Sequence, residues 1–200
     1  WHLGWDWNAI KKPVATAGTA ARGGRGKAKA PAAGFTPDAF HWSKPIPGGP
    51  LSHGFDYYFG DDVPNFPPYC FIENNRLLGV PDRPKPERMF GSPGPMAEGW
   101  DLTKVLPALA ESAEAFIKAE PGAAPYNRQA DAPFFLYLSL TSPHNPVAPA
   151  PEFIGKSGAH RYGDFVVETD WVVGRVMEAL KAAGDLERNH LPRGPDGHHG

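Results

Sequence analysis

Seven consecutive residues, Phe134-Phe135-Leu136-Tyr137-Leu138-Ser139-Leu140, run apolar without polar alternation. A strand with one wet face alternates. A run like this fits a strand covered on both faces, as in a parallel sheet between layers of helices. It passes into Thr141-Ser142-Pro143-His144-Asn145-Pro146. The region beyond the C-terminal end of a sheet strand is where α/β enzymes keep their chemical groups. Prolines on both sides restrict the backbone and so limit where the His144 imidazole points. A second histidine motif, Trp1-His2-Leu3-Gly4, opens the chain.

Helical periodicity surrounds this run. Val105, Leu106, Leu109, Ala113, Phe116 and Ile117 predict a helix to about Ala119, with Pro107 at its first position and Pro121-Gly122 beyond its end. Residues Asp164–Gly184 predict a second helix, with Val166, Val173, Met177 and Leu180 on one stripe and Gly184 as its stop. Helix, buried strand, loop, helix implies an α/β layered fold: a mostly parallel sheet flanked by helices, with long loops. His53–Gly60 reads as a short strand or packed loop. Asp61–Pro95 reads as a long loop punctuated by proline and glycine, and ordered by Phe66, Tyr69, Phe71 and Phe90.

Composition sets the class. Aromatics are 12% of the chain and hydrophobic residues 41%, enough for a packed core despite 23 glycines and 24 prolines. A net charge of -2 argues against a nucleic-acid partner. No stretch approaches the ~20 apolar residues of a membrane helix, so no membrane partner is expected. One cysteine, Cys70, cannot form an internal disulfide. Residues 13–34 turn to Ala, Gly, Pro, Lys and Arg and read as a flexible insertion. Its basic residues could draw anionic substrates, but mobile charges in water are heavily screened. Residues 187–200 have no apolar run and read as a divergent, disordered tail. His198-His199 within it is too sparse for a metal tract. Asp164 and Glu168 share a helix face, where a solvated or loop-pinning role is the simplest reading.

Five segments in order resemble one family, the sulfatases, and within it bacterial arylsulfatase-like members. Trp1-His2-Leu3-Gly4 resembles the end of a Gly-Lys-Trp-His-Leu-Gly signature. Gly49-Pro50 through Gly54-Phe55-Asp56-Tyr57-Tyr58-Phe59-Gly60 is similar to a "GP…GFDYYFG" segment. Pro133–Tyr137 with Ser142–Pro146 resembles "PFFLY…PH.P". Lys156-Ser157-Gly158, then Tyr162-Gly163-Asp164 with Glu168-Thr169-Asp170, continue in family order. The resemblance covers residues 1–12 and about 40–186.

What the resemblance implies is specific. The fold would be alkaline-phosphatase-like, with residues 1–186 as the central part of a catalytic domain. The activity would be hydrolysis of sulfate esters, small-molecule or glycan, by a formylglycine hydrate made within a Cys/Ser-x-Pro/Ala-x-Arg motif. A divalent cation, usually calcium, would neutralise sulfate oxygens as charge moves to the leaving alkoxide. His2 matches a histidine that assists the formylglycine hydrate. His144 matches one beside the substrate, which binds sulfate or protonates the leaving oxygen. The loop Asp61–Asn65 lies where relatives place a substrate-contacting polar residue, so Asp61, Asp62 and Asn65 are candidates.

The departures are equally specific. Cys70 is followed by Phe71-Ile72-Glu73, so it is not a formylglycine site. No metal ligand can be assigned: the first acids of the metal site belong to a region before Trp1. The expected Asp-Asn pair fails after Asn189. The reading is therefore an internal piece of a sulfatase, inactive by itself, from a periplasmic or secreted enzyme. The alternatives are a phosphodiesterase or phosphonate hydrolase of the same superfamily, and a non-catalytic remnant that binds sulfated glycans.

Overall fold

The computed structural model describes residues 4–13, 36–126, 128–129 and 132–186. His2, nearly all of the expected insertion at 13–34, and the expected tail at 187–200 lie outside the described residues.

Two helices form the base of the fold. Helix α1 (Val105–Lys118) buries Val105, Leu106, Leu109, Ala110, Ala113 and Ile117. These positions recur every three to four residues and make one apolar stripe. A 3-10 turn, Leu102–Lys104, leads into it, and Asp101 caps that turn by accepting from Thr103 N at 2.8 Å. Pro107 is the third residue of α1 rather than the first. The first four N–H groups of a helix have no intrahelical acceptor, so a proline there forfeits no bond. At the other end Arg128 Nη1 donates to the carbonyls of Phe116 (3.2 Å) and Ile117 (2.7 Å). Its guanidinium also lies 4.5 Å from the centre of the Phe134 ring.

Helix α2 (His160–Ala182) packs across α1. Glu114 on α1 holds both Arg175 of α2 and Lys118, and these hydrogen bonds outweigh desolvation to lower its pKa. The helix begins four residues before the expected Asp164 and stops where expected, with Gly184 in the left-handed region at φ 72°. Its buried face shares only Leu180 with the expected stripe. Phe165, Glu168, Val172, Ala179 and Leu180 are inside, whereas Val166 and Val173 are exposed. Branched apolar residues occur on two sides of α2, and α1 covers only one of them.

The strands lie where the sequence predicts mostly loop. β1 (Phe59–Gly60), β2 (Phe71–Glu73) and β3 (Arg76–Leu78) form an antiparallel sheet in that order, with Ile72 opposite Leu77. A two-residue turn joins β2 to β3, and Asn74 adopts φ 57° there, a conformation asparagine tolerates. β4 (Arg83–Pro84) and β5 (Pro95–Met96) form a second antiparallel pair. The elements make an α/β fold, but every strand pair among the described residues is antiparallel, the one parallel pairing is an isolated bridge between Tyr69 and Met96, and the expected parallel sheet is not among them.

The run Phe134–Leu140 makes no ladder among the described residues. Its exposure nevertheless alternates. Phe134 and Leu136 pack with Ile117, Ala179 and Leu180, and Leu138 and Leu140 pack against the cluster containing Leu106, Leu109 and Val172. Phe135 and Tyr137 face outward, 76% and 60% exposed. One face of the run is thus covered by helices. The described residues place neither a second layer nor a neighbouring strand on the other.

That open aromatic face should bind a hydrophobic dye and favour self-association. Replacing Phe135 and Tyr137 together by serine should reduce dye fluorescence and light scattering at unchanged helical circular dichroism. Unchanged dye binding would mean that the exposed apolar surface lies elsewhere.

Candidate active site

β1 ends directly in the acidic pair Asp61-Asp62. Gly60 makes the close approach there possible. A Cβ at residue 60 would lie 2.8 Å from the Tyr58 hydroxyl oxygen. Without it, Tyr58 folds back and its hydroxyl donates to the Asp61 carbonyl at 2.8 Å. Trp7 Nε1 donates to Asp62 Oδ2 at 2.9 Å, tying the N-terminal segment to this corner. Trp5 meets Tyr58 edge to face, with centroids 5.3 Å apart.

The two carboxylates differ. Asp62 has the indole as a donor, whereas Asp61 Oδ2 is buried without a hydrogen-bond partner. Burial pushes Asp61 up to about 7; a hydrogen bond from its own backbone opposes this and the charge of Asp62 adds to it. Tyr58 is also raised, first by burial and then by both acids. Asn65 follows on the same loop. Its carbonyl accepts from Ser92 N at 2.9 Å and lies 3.1 Å from the Tyr69 hydroxyl, whose one hydrogen goes to the nearer Ser92 carbonyl at 2.7 Å.

His144 reaches the same space from the other side of the chain. Its Nδ1 lies 2.7 Å from the carbonyl of Asn145. A carbonyl can only accept, so Nδ1 carries the proton and Nε2 keeps the lone pair in the neutral ring. Asp61, Asp62, Asn65 and His144 all line one cavity of about 1020 Å³. One wall is the outward face of Phe134–Leu140; Tyr57, Tyr58 and Phe59 contribute another. Gly4 and Trp5, the first described residues after His2, line it as well. Loops about eighty residues apart in sequence therefore converge on one concave, partly aromatic space containing two acids and an imidazole.

Sequence reasoning reduced two acids behind this wall to bland alternatives, and the loop-pinning one is what the structure shows. Asp164 accepts from Gly155 N (2.8 Å), Ser157 N (2.9 Å) and Ser157 Oγ (2.7 Å), and these bonds, the Gly155 one foremost, lower its pKa. Glu168 is 0% exposed, and its Oε2 accepts from Ala150 N at 2.9 Å. Burial, outweighing that hydrogen bond and aided by the charge of Glu152, pushes Glu168 up to about 7. An acid recurring within the buried series Phe165, Val172, Ala179 was the signal available in the sequence.

Among the described residues no group of three or more His, Cys, Asp or Glu could hold a metal ion. Asp61 and Asp62 fall short of the six or more oxygens that calcium takes. The described residues therefore do not form a calcium centre.

Comparison with known proteins gives one consistent result. The sulfatase family profile matches residues 1–189. N-acetylgalactosamine-6-sulfatase of Mus musculus is 31% identical over 137 residues, covering 68% of this chain and 24% of that protein. The Homo sapiens counterpart is 35% identical over 138 residues, 66% of this chain and 24% of that one. N-acetylgalactosamine-6-O-sulfatase of Bacteroides thetaiotaomicron is 25% identical over 142 residues, 67% of this chain and 25% of that protein. The chain thus spans about a quarter of the length of these relatives. A solved structure from work on glycosaminoglycan metabolism by Bacteroides thetaiotaomicron superposes with a TM-score of 0.57 at 22% identity. It covers 72% of this chain and 36% of that one, a likeness of fold alone.

The raised acids give stability a definite pH dependence. In the folded chain Glu168 and Asp61 hold their protons to about 7, against 4.5 and 3.8 when unperturbed. Between those limits the folded state binds more protons than the unfolded state, so stability falls as pH rises. Asp164 acts oppositely and only at the acid end, losing its contribution as pH falls below 3.8. Glu168→Gln should make the decline between pH 4.5 and 7 shallower, read from urea midpoints by circular dichroism. Equal slopes in variant and parent would mean that Glu168 is ionised in the fold.

Proposed function

The chain belongs to the sulfatase family, and on that premise we propose that the whole protein is a sulfuric ester hydrolase whose substrate meets the cavity between Asp61 and His144. The observation that carries this reading is the convergence of both loops on one cavity. Asp61, Asp62 and Asn65 contact the leaving-group side of the ester. His144 presents Nε2 to the sulfate or the leaving oxygen, holding one or protonating the other when the ring is charged. His2 assists the nucleophile. Cys70 is not that nucleophile: it is buried and its thiol is pushed up by burial, the reverse of activation.

The formylglycine and the calcium ion belong to this reading as family chemistry, supplying the attacking hydrate and charge neutralisation. The residues described here supply binding, orientation and one imidazole. Phe134–Leu140 fits a central strand of a parallel, alkaline-phosphatase-like sheet, since its outer face and edges await neighbours. The substrate is a sulfated glycan or a small sulfate ester. No described helix is long and apolar enough to cross a membrane, and a periplasmic or secreted enzyme suits the family.

The test is turnover by the whole protein of an aryl sulfate and a sulfated N-acetylgalactosamine, beside an aryl phosphate and a phosphonate. Sulfate release should dominate, and His144→Ala should lower kcat roughly 10²–10⁴-fold, the range for loss of a general acid. Faster phosphate release would favour the phosphodiesterase alternative. Binding of sulfated glycan without turnover would favour the non-catalytic one.

A further inference from the structure

Consecutive residues of α2 grip the chain on both sides of His144. Upstream, Thr169 Oγ1 lies 2.7 Å from Ser142 Oγ and 2.8 Å from the Phe165 carbonyl. A hydroxyl has one hydrogen, and a carbonyl can only accept. Thr169 therefore gives its hydrogen to Phe165 and takes that of Ser142, which fixes both rotors. Downstream, Glu168 Oε2 takes the N–H of Ala150. Between these anchors the segment contains Pro143, Pro146 and Pro149, so little conformational freedom remains for His144. One turn earlier on the same helix, Asp164 fixes residues 155 and 157.

We propose that Thr169 is a positioning residue for His144, acting through Ser142, with Glu168 holding the far end of the same loop. Their joint effect is to keep Nδ1 of His144 against the Asn145 carbonyl, which leaves Nε2 on the opposite side of the ring. The proposal deepens the reading of His144 as a site residue and takes its functional meaning from that reading. The grip itself is a property of the fold.

The acylation rate of histidine by diethylpyrocarbonate tests it, mapped by mass spectrometry on the full 200-residue chain at micromolar concentration. The reagent attacks an imidazole nitrogen that bears a lone pair. Exposed His53 serves as the internal reference. Losing one hydrogen bond of the usual strength changes the equilibrium between held and loosened states by roughly five-fold. Thr169→Val should therefore slow His144 relative to His53 by up to about that factor, because the Nδ1–H bond to the Asn145 carbonyl, which makes Nε2 the better nucleophile, is then made less of the time. Thr169→Ser keeps the hydroxyl and should restore the parent ratio. Ser142→Ala should match Thr169→Val, and the double variant should go no further. An unchanged ratio in Thr169→Val would overturn the proposal. So would a Thr169→Ser variant as slow as Thr169→Val at equal helix content, since packing of the methyl group would then be the cause. If Thr169→Val slows acylation but leaves sulfate ester turnover by the whole protein unchanged, the positioning stands and the catalytic reading of His144 fails.

Discussion

Buried carboxylates do not tolerate an apolar interior alone; they capture hydrogen-bond donors or keep their protons. Helix α2 uses this constraint to organise the chain that precedes it. Asp164 and Glu168 point from the helix into the segment 150–157 and take its backbone N–H groups. Phe165 and Val172 on the same helix bury against Leu106, Leu109 and Ala110 of α1. The apolar contacts fix where α2 lies, and the acids convert that placement into a path for a loop with no ladder of its own. The loop of His144 takes its path from this helix, and the strand-like run before it is seated on α1 and α2 together.

The acids at the other end of the cavity follow the same constraint with a different outcome. Asp62 has captured an indole N–H. Asp61 has one buried oxygen without a donor and is raised in consequence. Neighbouring residues of like type thus present two electrostatic characters to one cavity, one acid already engaged and one poised to accept or give a proton.

The parts of this arrangement legible in the sequence are those that repeat. The 3.6-residue period located both helices, and Gly184 located the end of the second. Ordered motifs singled out Asp61, Asp62, Asn65 and His144, which line a common cavity. Strands two or three residues long have no period to read, so β2 to β5 looked like loop, and only β1 fell in a segment read as a short strand or packed loop. The buried face of α2 was misread because valine is a good marker of apolar environment but a poor marker of which side is covered first. Phe134–Leu140 shows the limit of pattern reading most plainly. Its composition reports an environment with two covered faces, whereas the described residues supply one.

Gly60 carries a consequence for how such a chain can drift over generations. The Tyr58 hydroxyl occupies the space that a side chain at residue 60 would need. Alanine at 60 would require the Tyr58 hydroxyl to move, and that movement would loosen its bond to the Asp61 carbonyl. A substitution at either position is therefore felt at the other, and through that bond at the backbone beneath the acidic pair.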